Sequence, residues 1–474
     1  MKIQNRQLFL KWFVMLSLFS VSQFCTISVT FASEENAKPN IVLIFLDDSG
    51  WADFKPFGSP KYKTPNVEKL AEGGCRFNNF YVPQAVCSAS RAALLSGCFP
   101  GRTQVFGAHG PKGAGLDPKF KIMSEVFKAN GYKTAVFGKW HIGDKDGRRP
   151  WDRGFDESCG LLYSNDMWEF HPGNPKYWGR YPLQYFQNGK LKIERVGKKD
   201  QKMLTTWYTE KAVDFIERNK ENPFFLYVPH SMPHVPLFVS DKFAGKSGTG
   251  LYGDVMMEID WSVGQITKSL ADCGVEDNTI VIMTSDNGPW ISYGNRAGKT
   301  PFREAKGTSF DGGVRSACII KYPGKIKAGS SSDKMFSTVD LMPTLAKLTG
   351  SKLPDSPFDG RDVWDIITGK LNAENSHKYY PFSTGSRFEG VISGDGRWKL
   401  HVPHRYRTLV KTGMDGMPGK YKQAKTGISL FDMQNDPYET TDVKSKYPEI
   451  FARMKSFAEG HKAKFFPKQK LQIK

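Results

Sequence analysis

Cysteine and histidine are scarce in this sequence and are not spaced as they are in zinc sites. The 474 residues include 7 Cys and 9 His, and no two cysteines stand in a C-x-x-C pair. This argues against a structural zinc site. Internal repeats and low-complexity stretches are missing, and no zinc-finger, RNA-recognition or basic-zipper pattern accompanies the net charge of +19. The excess of Lys and Arg favours anionic partners in general, and we expect no nucleic-acid partner.

Long apolar runs are confined to the N-terminus. Beyond residue 32, no stretch reaches the ~20 apolar residues that a membrane span needs. Lys2, Arg6 and Lys11 precede an apolar stretch over 12–32, which ends in small residues. This pattern predicts a signal peptide over residues 1–32, and hence export to the periplasm or the medium without stable membrane insertion. The alternative is a single membrane anchor, which the many Ser and Thr residues in the stretch disfavour.

The predicted signal peptide includes Cys25, so six cysteines remain after its removal. They are Cys75, Cys87, Cys98, Cys159, Cys273 and Cys318. If one of them is chemically modified, five are left, and at most two disulfides can form.

Apolar runs alternate with helical patterns along most of the chain. Residues 40–46, 224–228 and 279–283 are apolar runs of the kind found in buried parallel strands. Helical patterns cover residues 64–71, 88–96, 122–130, 204–219 and 252–270. In the first of these, Thr64 is the expected capping residue and Pro65 the first helical residue. The alternation predicts an α/β fold with a large, mostly parallel central sheet flanked by helices.

The pattern changes near residue 375. Short segments over 390–393, 398–402 and 428–431 are separated by turn residues, and a final helical pattern covers 447–464. We therefore expect a smaller C-terminal antiparallel sheet plus a helix. The predicted organisation is a signal peptide (1–32), an α/β domain (33–375) and a C-terminal α+β subdomain (376–474).

Two of the apolar strands end in oxygen-bearing side chains. Asp47 and Asp48 follow the first run, and Asp286 and Asn287 follow the last. The carboxyl ends of parallel strands meet at one edge of a sheet, where binding sites collect. Three carboxylates and one amide suit Ca²⁺ or Mg²⁺ and do not suit Zn²⁺. The alternative is a pair of ordinary turns.

Residues 87–97 (CSASRAALLSG) carry the most specific motif of the sequence. The segment resembles the sulfatase signature C-x-P-S-R-x-x-L-L-T-G. The resemblance implies an alkaline phosphatase-like fold, with Cys87 as the precursor of a formylglycine nucleophile. Arg91, one helical turn away on the same face, would support it. Ala89 stands where the family usually has Pro, which implies maturation by a radical-type, anaerobic enzyme. An unconverted Cys87 would be a buried core thiol.

Five further segments resemble sulfatase motifs in the family's order. They are residues 138–143 (GKWHIG), 224–236 (FFLYVPHSMPHVP), 284–288 (TSDNG), 302–308 (FREAKGT) and 310–315 (FDGGVR). Segments 138–143 and 302–308 imply catalytic roles for Lys139, His141 and Lys306. Lys139 and His141 alternate by two, so we expect them to share a face of an extended chain. In the second segment, the closing H-x-P favours His234 over His230 as the sulfate-binding residue.

The resemblance also implies a mechanism and makes 33–375 the catalytic domain. The expected ligands of a divalent cation, Ca²⁺ in preference to Mg²⁺, are the strand-end residues and the modified cysteine: Asp47, Asp48, Asp286, Asn287 and Cys87. One hydroxyl of hydrated formylglycine attacks sulfur, and the second hydroxyl then allows sulfate to leave. Three side chains bind sulfate oxygens: Lys139, Lys306 and His234. Either Lys306 or His234 protonates the leaving alcohol. His141 is the base for the second step, in which sulfate leaves.

A sulfated carbohydrate is the expected substrate. Predicted export, a basic surface and an aromatic content of 13% favour a polysaccharide or glycosaminoglycan. The motif order resembles the arylsulfatase A and N-acetylgalactosamine-6-sulfatase branch. Residues outside the motifs that could contact sugar are aromatic or basic: Trp168, His171, Trp178, His401, His404 and Arg405. Two alternatives stay open: a phosphonate or phosphate monoester hydrolase of the same superfamily, and a secreted glycan-binding protein without catalysis.

Overall fold

The longest apolar runs of the mature sequence form the centre of one sheet. In the computed structural model, which describes residues 38–469, β1 (Asn40–Leu46), β7 (Phe224–Pro229) and β8 (Thr279–Ser285) are completely buried. β1 lies between the other two and pairs with both in parallel. Its side chains alternate between two hydrophobic cores, one on each face of the sheet. The predicted signal peptide and Cys25 lie outside the described residues.

Eight further strands extend this sheet to eleven. They are β2 (Cys75–Tyr81), β3 (Lys133–Lys139), β4 (Glu157–Leu161), β5 (Tyr185–Gln187), β6 (Lys190–Ile193), β9 (Arg315–Lys321), β10 (Ser330–Ser332) and β11 (Phe336–Ser337). The spatial order is β10-β2-β9-β8-β1-β7-β3-β4-β5-β6, with β11 also paired to β2. The central pairs are parallel, whereas β9, β5 and β6 run antiparallel to their neighbours. The expected large, mostly parallel sheet is confirmed.

Helices pack on both faces of the sheet because their apolar sides complete the two cores. The first core includes residues of α2 (Cys87–Ser96), α4 (Met123–Ala129) and α9 (Leu341–Leu348). The second includes residues of α1 (Pro65–Glu72), α6 (Lys198–Asn219) and α7 (Leu251–Asp272). Four short helices connect other elements: α3 (Pro100–Thr103), α5 (Pro175–Trp178), α8 (Asp311–Val314) and α10 (Trp364–Ile367).

The start of α6 and the capping of α1 differ from their sequence predictions. α6 begins at Lys198 instead of residue 204, because its first turn is polar and carries no apolar signal. α1 begins at Pro65 as expected, but the buried hydroxyl of Thr64 has no hydrogen-bond partner. The carboxylate of Asp260 in α7 accepts instead from the backbone N–H groups of Asn66 (3.3 Å) and Val67 (2.8 Å). The predicted local cap was wrong because a tertiary contact brings a charged acceptor to this helix end.

The C-terminal part forms a smaller antiparallel sheet and a helix, as expected. The sheet contains, in spatial order, β12 (Tyr379–Thr384), β13 (Arg387–Ser393), β14 (Trp398–His401) and β17 (Ser429–Asp432). α11 (Pro448–Phe465) packs on it through Met454 and Ala458. Between β14 and β17 the chain forms a two-stranded hairpin of β15 (His404–Lys411) and β16 (Lys420–Thr426). This hairpin was not predicted, because its strands are basic and largely exposed and lack apolar alternation.

Two further features concern the helices and the cysteines. Within residues 38–469, no helix has both the length and the apolar character needed to cross a bilayer. The six cysteines of that range are unpaired thiols, five of them buried and Cys273 half-buried. The allowed disulfides therefore do not form between these residues.

The cap on α1 gives a test of this packing. Asp260→Ala should lower the free energy of unfolding by about 1–2 kcal/mol, since two backbone N–H groups at the helix start lose their acceptor. Thr64→Val is the matched control and should leave stability nearly unchanged, because the hydroxyl makes no hydrogen bond. Urea unfolding measures both variants. A larger loss in Thr64→Val than in Asp260→Ala would contradict this assignment of the cap.

Candidate active site

The register of the central strands brings the predicted acidic pairs together. Leu46 at the end of β1 lies opposite Ser285 at the end of β8. The next residues are therefore neighbours: the backbone N–H of Asp48 donates to Asp286 Oδ1 at 3.1 Å. Asn287 Nδ2 donates to Asp48 Oδ1 at 2.8 Å. Asp48 has a left-handed φ of 67°, which Asp tolerates better than most residues and which turns the chain at this edge.

The N-terminus of α2 points the signature cysteine at this edge. Cys87 is the first residue of α2, and its Sγ lies 3.3 Å from Asp47 Oδ1. Arg91, one turn later, reaches the same oxygen at 3.6 Å, so both residues do lie on one face of the helix. Burial and the charge of Asp47 raise the pKa of Cys87 well above its ordinary value. As a plain thiol, Cys87 is therefore protonated and a weak nucleophile.

Three buried cations neutralise the three carboxylates. Lys139 Nζ lies 2.5 Å from Asp47 Oδ2, and Lys306 Nζ lies 2.6 Å from Asp48 Oδ1. The Arg91 guanidinium donates to Asp286 Oδ2 through Nε (3.2 Å) and a terminal nitrogen (2.9 Å). These ion pairs are almost completely removed from water, so each charge depends on its partner. The site is thus a compact cluster of alternating charges.

The electrostatics of the cluster distinguish the carboxylates from one another. Burial by itself would raise the pKa of Asp47, but Lys139 and the neighbouring cations lower it well below its ordinary value. Burial and the charge of Asp47 raise the pKa of Asp286 to about 7. Asp48 outweighs the burial of Lys306 and raises the pKa of that ammonium, which stays protonated. The crowding of the carboxylates therefore acts mainly on Asp286, whose pKa is raised even though Arg91 is bound to it.

His141 is held as a neutral imidazole with one free nitrogen. Its Nε2 lies 2.8 Å from the carbonyl oxygen of His109, so Nε2 carries the proton and donates it. Burial and the charges of Lys139 and Arg91 lower the pKa of His141 well below its ordinary value. The buried Nδ1 has no hydrogen-bond partner and is left as an acceptor. β3 ends at Lys139, and His141 has a left-handed φ of 63°. The extended chain expected to include both residues therefore stops at Lys139.

The two candidate histidines after β7 lie in different surroundings. His234 Nδ1 donates to its neighbour's carbonyl, Val235 O, at 2.5 Å, and Nε2 faces Asp48 Oδ2 at 3.5 Å. His230 is buried away from the acidic cluster, with Nε2 3.1 Å from Ser262 Oγ. The geometry therefore places His234, and not His230, beside the carboxylates.

The cluster has the composition of a site for a hard divalent cation. Ligand atoms of Asp47, Asp48, Cys87 and His234 all lie within 4.8 Å of one another. Asn287 Oδ1 is buried beside them without a hydrogen-bond partner. A free amide oxygen next to crowded carboxylates fits Ca²⁺ or Mg²⁺, whose charge would relieve the repulsion between the carboxylates.

Comparison with known proteins agrees with this geometry. Residues 39–351 match the family described as Sulfatase. The chain belongs to the sulfatase family. It is 32% identical over 448 residues to human arylsulfatase A, covering 88% of this chain and 86% of that protein. It is 30% identical to an N-acetylgalactosamine-6-O-sulfatase of Bacteroides thetaiotaomicron, covering 91% and 94% of the two chains.

A solved structure shows the same similarity in three dimensions. The PsFucS1 sulfatase from Pseudoalteromonas sp. superimposes with a TM-score of 0.81 at 25% identity, covering 92% of each chain. The expected fold and membership are confirmed, and this sulfatase is a sulfuric ester hydrolase. The similarities do not favour the alternatives of a phosphonate or phosphate hydrolase and of a non-catalytic glycan-binding protein.

Two residues that contact the candidate site were missed in the sequence. Ser164 accepts a hydrogen bond from Lys139 Nζ at 3.1 Å, and Trp290 lies under Lys306 with 4.5 Å between Nζ and the ring centre. Ser164 follows β4, another parallel strand, so the rule that polar residues at carboxyl ends form sites could have identified it. Trp290 carries no such signal, since an isolated Trp is usually part of the core.

The six residues suggested for sugar contact divide into two groups. Trp168, His401 and His404 are buried, and His401 Nε2 lies 2.8 Å from Glu439 Oε1. These three side chains are part of the interior packing. The remaining three are at least partly accessible, with the rings of His171 and Trp178 stacked 5.7 Å apart: His171, Trp178 and Arg405.

The buried pair between Arg91 and Asp286 predicts a strong effect on stability. Arg91→Met should lower the free energy of unfolding by about 3–5 kcal/mol, because Asp286 is left buried without its cation. The double variant Arg91→Met/Asp286→Asn should recover part of this loss, since the uncompensated charge is gone. Urea unfolding of the metal-free protein measures both. Equal losses in the single and double variants would show that the ion pair is not the cause.

Proposed function

We propose that the protein removes sulfate from a sulfated glycan after conversion of Cys87 to formylglycine. The supporting observation is the position of Cys87 Sγ, 3.3 Å from Asp47 Oδ1 and 3.5 Å from Lys306 Nζ. An oxygen nucleophile generated at this position would stand between the acidic edge and a cation able to bind the sulfate. Hydrated formylglycine supplies such an oxygen. Loss of a proton from its second hydroxyl then breaks the bond between carbon and the sulfated oxygen, which releases sulfate and restores the aldehyde.

The acidic edge would hold a divalent cation. The proposed ligands are Asp47, Asp48, Asp286, Asn287 and the modified side chain of Cys87. So many protein oxygens favour Ca²⁺, because Mg²⁺ usually keeps several waters and takes only one or two carboxylates. When bound, the ion supplies positive charge that lowers the pKa of an oxygen ligand and polarises the sulfate.

The sulfate ester itself would be bound by Lys139, Lys306 and His234. A sulfate monoester is an anion that repels nucleophiles, so buried cations at this position favour both binding and attack. As the sulfur–oxygen bond to the sugar breaks, the leaving alcohol needs a proton. His234 or Lys306 provides it, since both side chains contact the carboxylate of Asp48.

His141 would act as the base that allows sulfate to leave. Its Nε2 proton is committed to the carbonyl of His109, so Nδ1 is the atom that accepts a proton. The lowered pKa of His141 keeps the ring neutral and ready to accept at neutral pH. Arg91 positions Asp286 and the end of β3 through its bonds to Asp286 and to the Lys139 carbonyl.

The proposed substrate is a sulfated polysaccharide or glycosaminoglycan. Relatives named for arylsulfate and for N-acetylgalactosamine 6-sulfate hydrolysis suggest a galactose-type 6-sulfate. The predicted signal peptide supports export to a compartment where anionic polymers occur. The net charge of +19 favours such polymers as partners. Because Ala89 replaces the usual Pro, the proposed maturing enzyme is of the radical type.

The first test is the state of Cys87 in protein from its native host. The tryptic peptide that contains Cys87 should have the mass of formylglycine, and this protein should hydrolyse 4-nitrophenyl sulfate. Cys87→Ala should reduce hydrolysis to background while leaving the melting temperature close to that of the wild type. Turnover by protein whose Cys87 is entirely unmodified would contradict the proposal.

The two histidines after β7 provide a matched pair for the sulfate-binding role. His234→Ala should lower kcat for 4-nitrophenyl sulfate by about 10²–10⁴-fold, as expected for loss of an acid or charge-binding group. His230→Gln should retain kcat, because His230 contacts Ser262 and lies away from the carboxylates. Steady-state kinetics on matured enzyme compares them. The reverse ranking would assign the role to His230.

A further inference from the structure

The hairpin of β15 and β16 is anchored at the edge of the active site. An Arg407 terminal nitrogen donates to the backbone carbonyl of Lys306 at 2.6 Å. Trp290 lies between the two cations, 4.5 Å from Lys306 Nζ and 6.0 Å from the Arg407 guanidinium carbon. The turn of the hairpin is held by Ser292, whose carbonyl accepts from the backbone N–H groups of Gly413 (2.8 Å) and Gly419 (2.7 Å). The middle of β15 and the turn of the hairpin are thus fixed to the segment of residues 290–306, which carries Lys306.

The charge of this hairpin is strongly one-sided. Residues 404–426 contain six basic side chains and one acidic residue, Asp415. All the basic side chains except Arg407 are exposed: Arg405, Lys411, Lys420, Lys422 and Lys425. None of these five forms an ion pair with an acidic residue of the described chain. By contrast, the neighbouring Arg387 and Arg397 are paired with Glu389 and Asp432.

The strand register places like charges opposite each other. Arg405 pairs directly with Lys425, and Lys411 pairs with Lys420. Like charges directly opposite in an antiparallel pair destabilise it, so folding alone does not explain this arrangement. Arg405 lies two residues from Arg407 on β15 and therefore on the same face, about 7 Å along the strand. Arg405 and its cross-strand partner Lys425 therefore extend the positive charge of Arg407 along one face of the hairpin.

We propose that this hairpin binds further sulfate or carboxylate groups of the glycan whose sulfate is hydrolysed. The inference rests on the proposed function and narrows its substrate class to a polyanionic chain, charged on the sugars next to the one attacked. An anionic group between Arg405 and Lys425 would relieve their repulsion and form charge-assisted hydrogen bonds with both. Arg407, which holds the Lys306 carbonyl, links this binding surface to the catalytic residues.

The test measures binding of a chondroitin 6-sulfate oligosaccharide by titration calorimetry, using the chain without its predicted signal peptide. Arg405→Gln/Lys425→Gln should raise the dissociation constant at least about tenfold, because the charged hydrogen bonds of both side chains are lost. The control Lys325→Gln/Lys327→Gln removes the same charge from exposed positions. These residues follow β9, whose last residue pairs near the start of β8, whereas the candidate site lies at the end of β8. The control should bind like the wild type, and added salt should reduce the difference.

Competition in the matured enzyme locates the bound oligosaccharide. The oligosaccharide should inhibit 4-nitrophenyl sulfate hydrolysis competitively, and its inhibition constant should be larger in the hairpin variant. The kcat/KM of that variant for 4-nitrophenyl sulfate itself should be unchanged. Equal affinities in all variants, or non-competitive inhibition, would overturn the proposal. Tighter hairpin-dependent binding of duplex DNA or anionic phospholipid vesicles would overturn it in favour of another partner. Absence of 4-nitrophenyl sulfate turnover would contradict the proposed function and leave the binding result standing.

Discussion

The site depends on the parallel pairing of β1 with β8, which forces acidic side chains into one buried space. Register alone places Asp47, Asp48 and Asp286 next to one another, and the low dielectric of the interior makes their mutual repulsion severe. Such an arrangement persists only if positive charge is supplied. Lys139 and Lys306 supply it here, together with Arg91, and a bound divalent cation would add to it.

Each compensating cation comes from a different part of the chain. Arg91 comes from α2, Lys139 from the end of β3, and Lys306 from the loop before α8. The charges therefore tie together segments that share no local interaction. This explains why the motifs are short and widely spaced: each contributes one or two groups to a single electrostatic balance. The same balance prepares the site for an anionic ester, since a sulfate can take over contacts that the carboxylates make.

The C-terminal sheet takes part in this arrangement through a second buried network. Lys399 Nζ in β14 lies 2.7 Å from Asp311 Oδ1 and 3.0 Å from Glu439 Oε1. Glu439 Oε2 accepts from the backbone N–H of Asp311, and the Tyr81 hydroxyl donates to Asp311 Oδ2 at 2.8 Å. Asp311 follows the loop that carries Lys306. The C-terminal sheet thus helps to hold that loop in place, in addition to supplying the basic hairpin.

The residues of the candidate site were recognisable in the sequence, whereas their fine geometry was not. Buried strands ending in Asp47 and Asp286 are visible as apolar runs followed by acids, and the spacing from Cys87 to Arg91 is a helical turn. These signals are local, so sequence order preserves them. The acceptor for α1 comes instead from Asp260, far along the chain, and the left-handed turn at His141 breaks the simple strand alternation. The proton position on that ring depends on a distant carbonyl, and the place of the basic hairpin depends on its anchors. Such features require contacts between residues remote in sequence, and only the tertiary structure decided them.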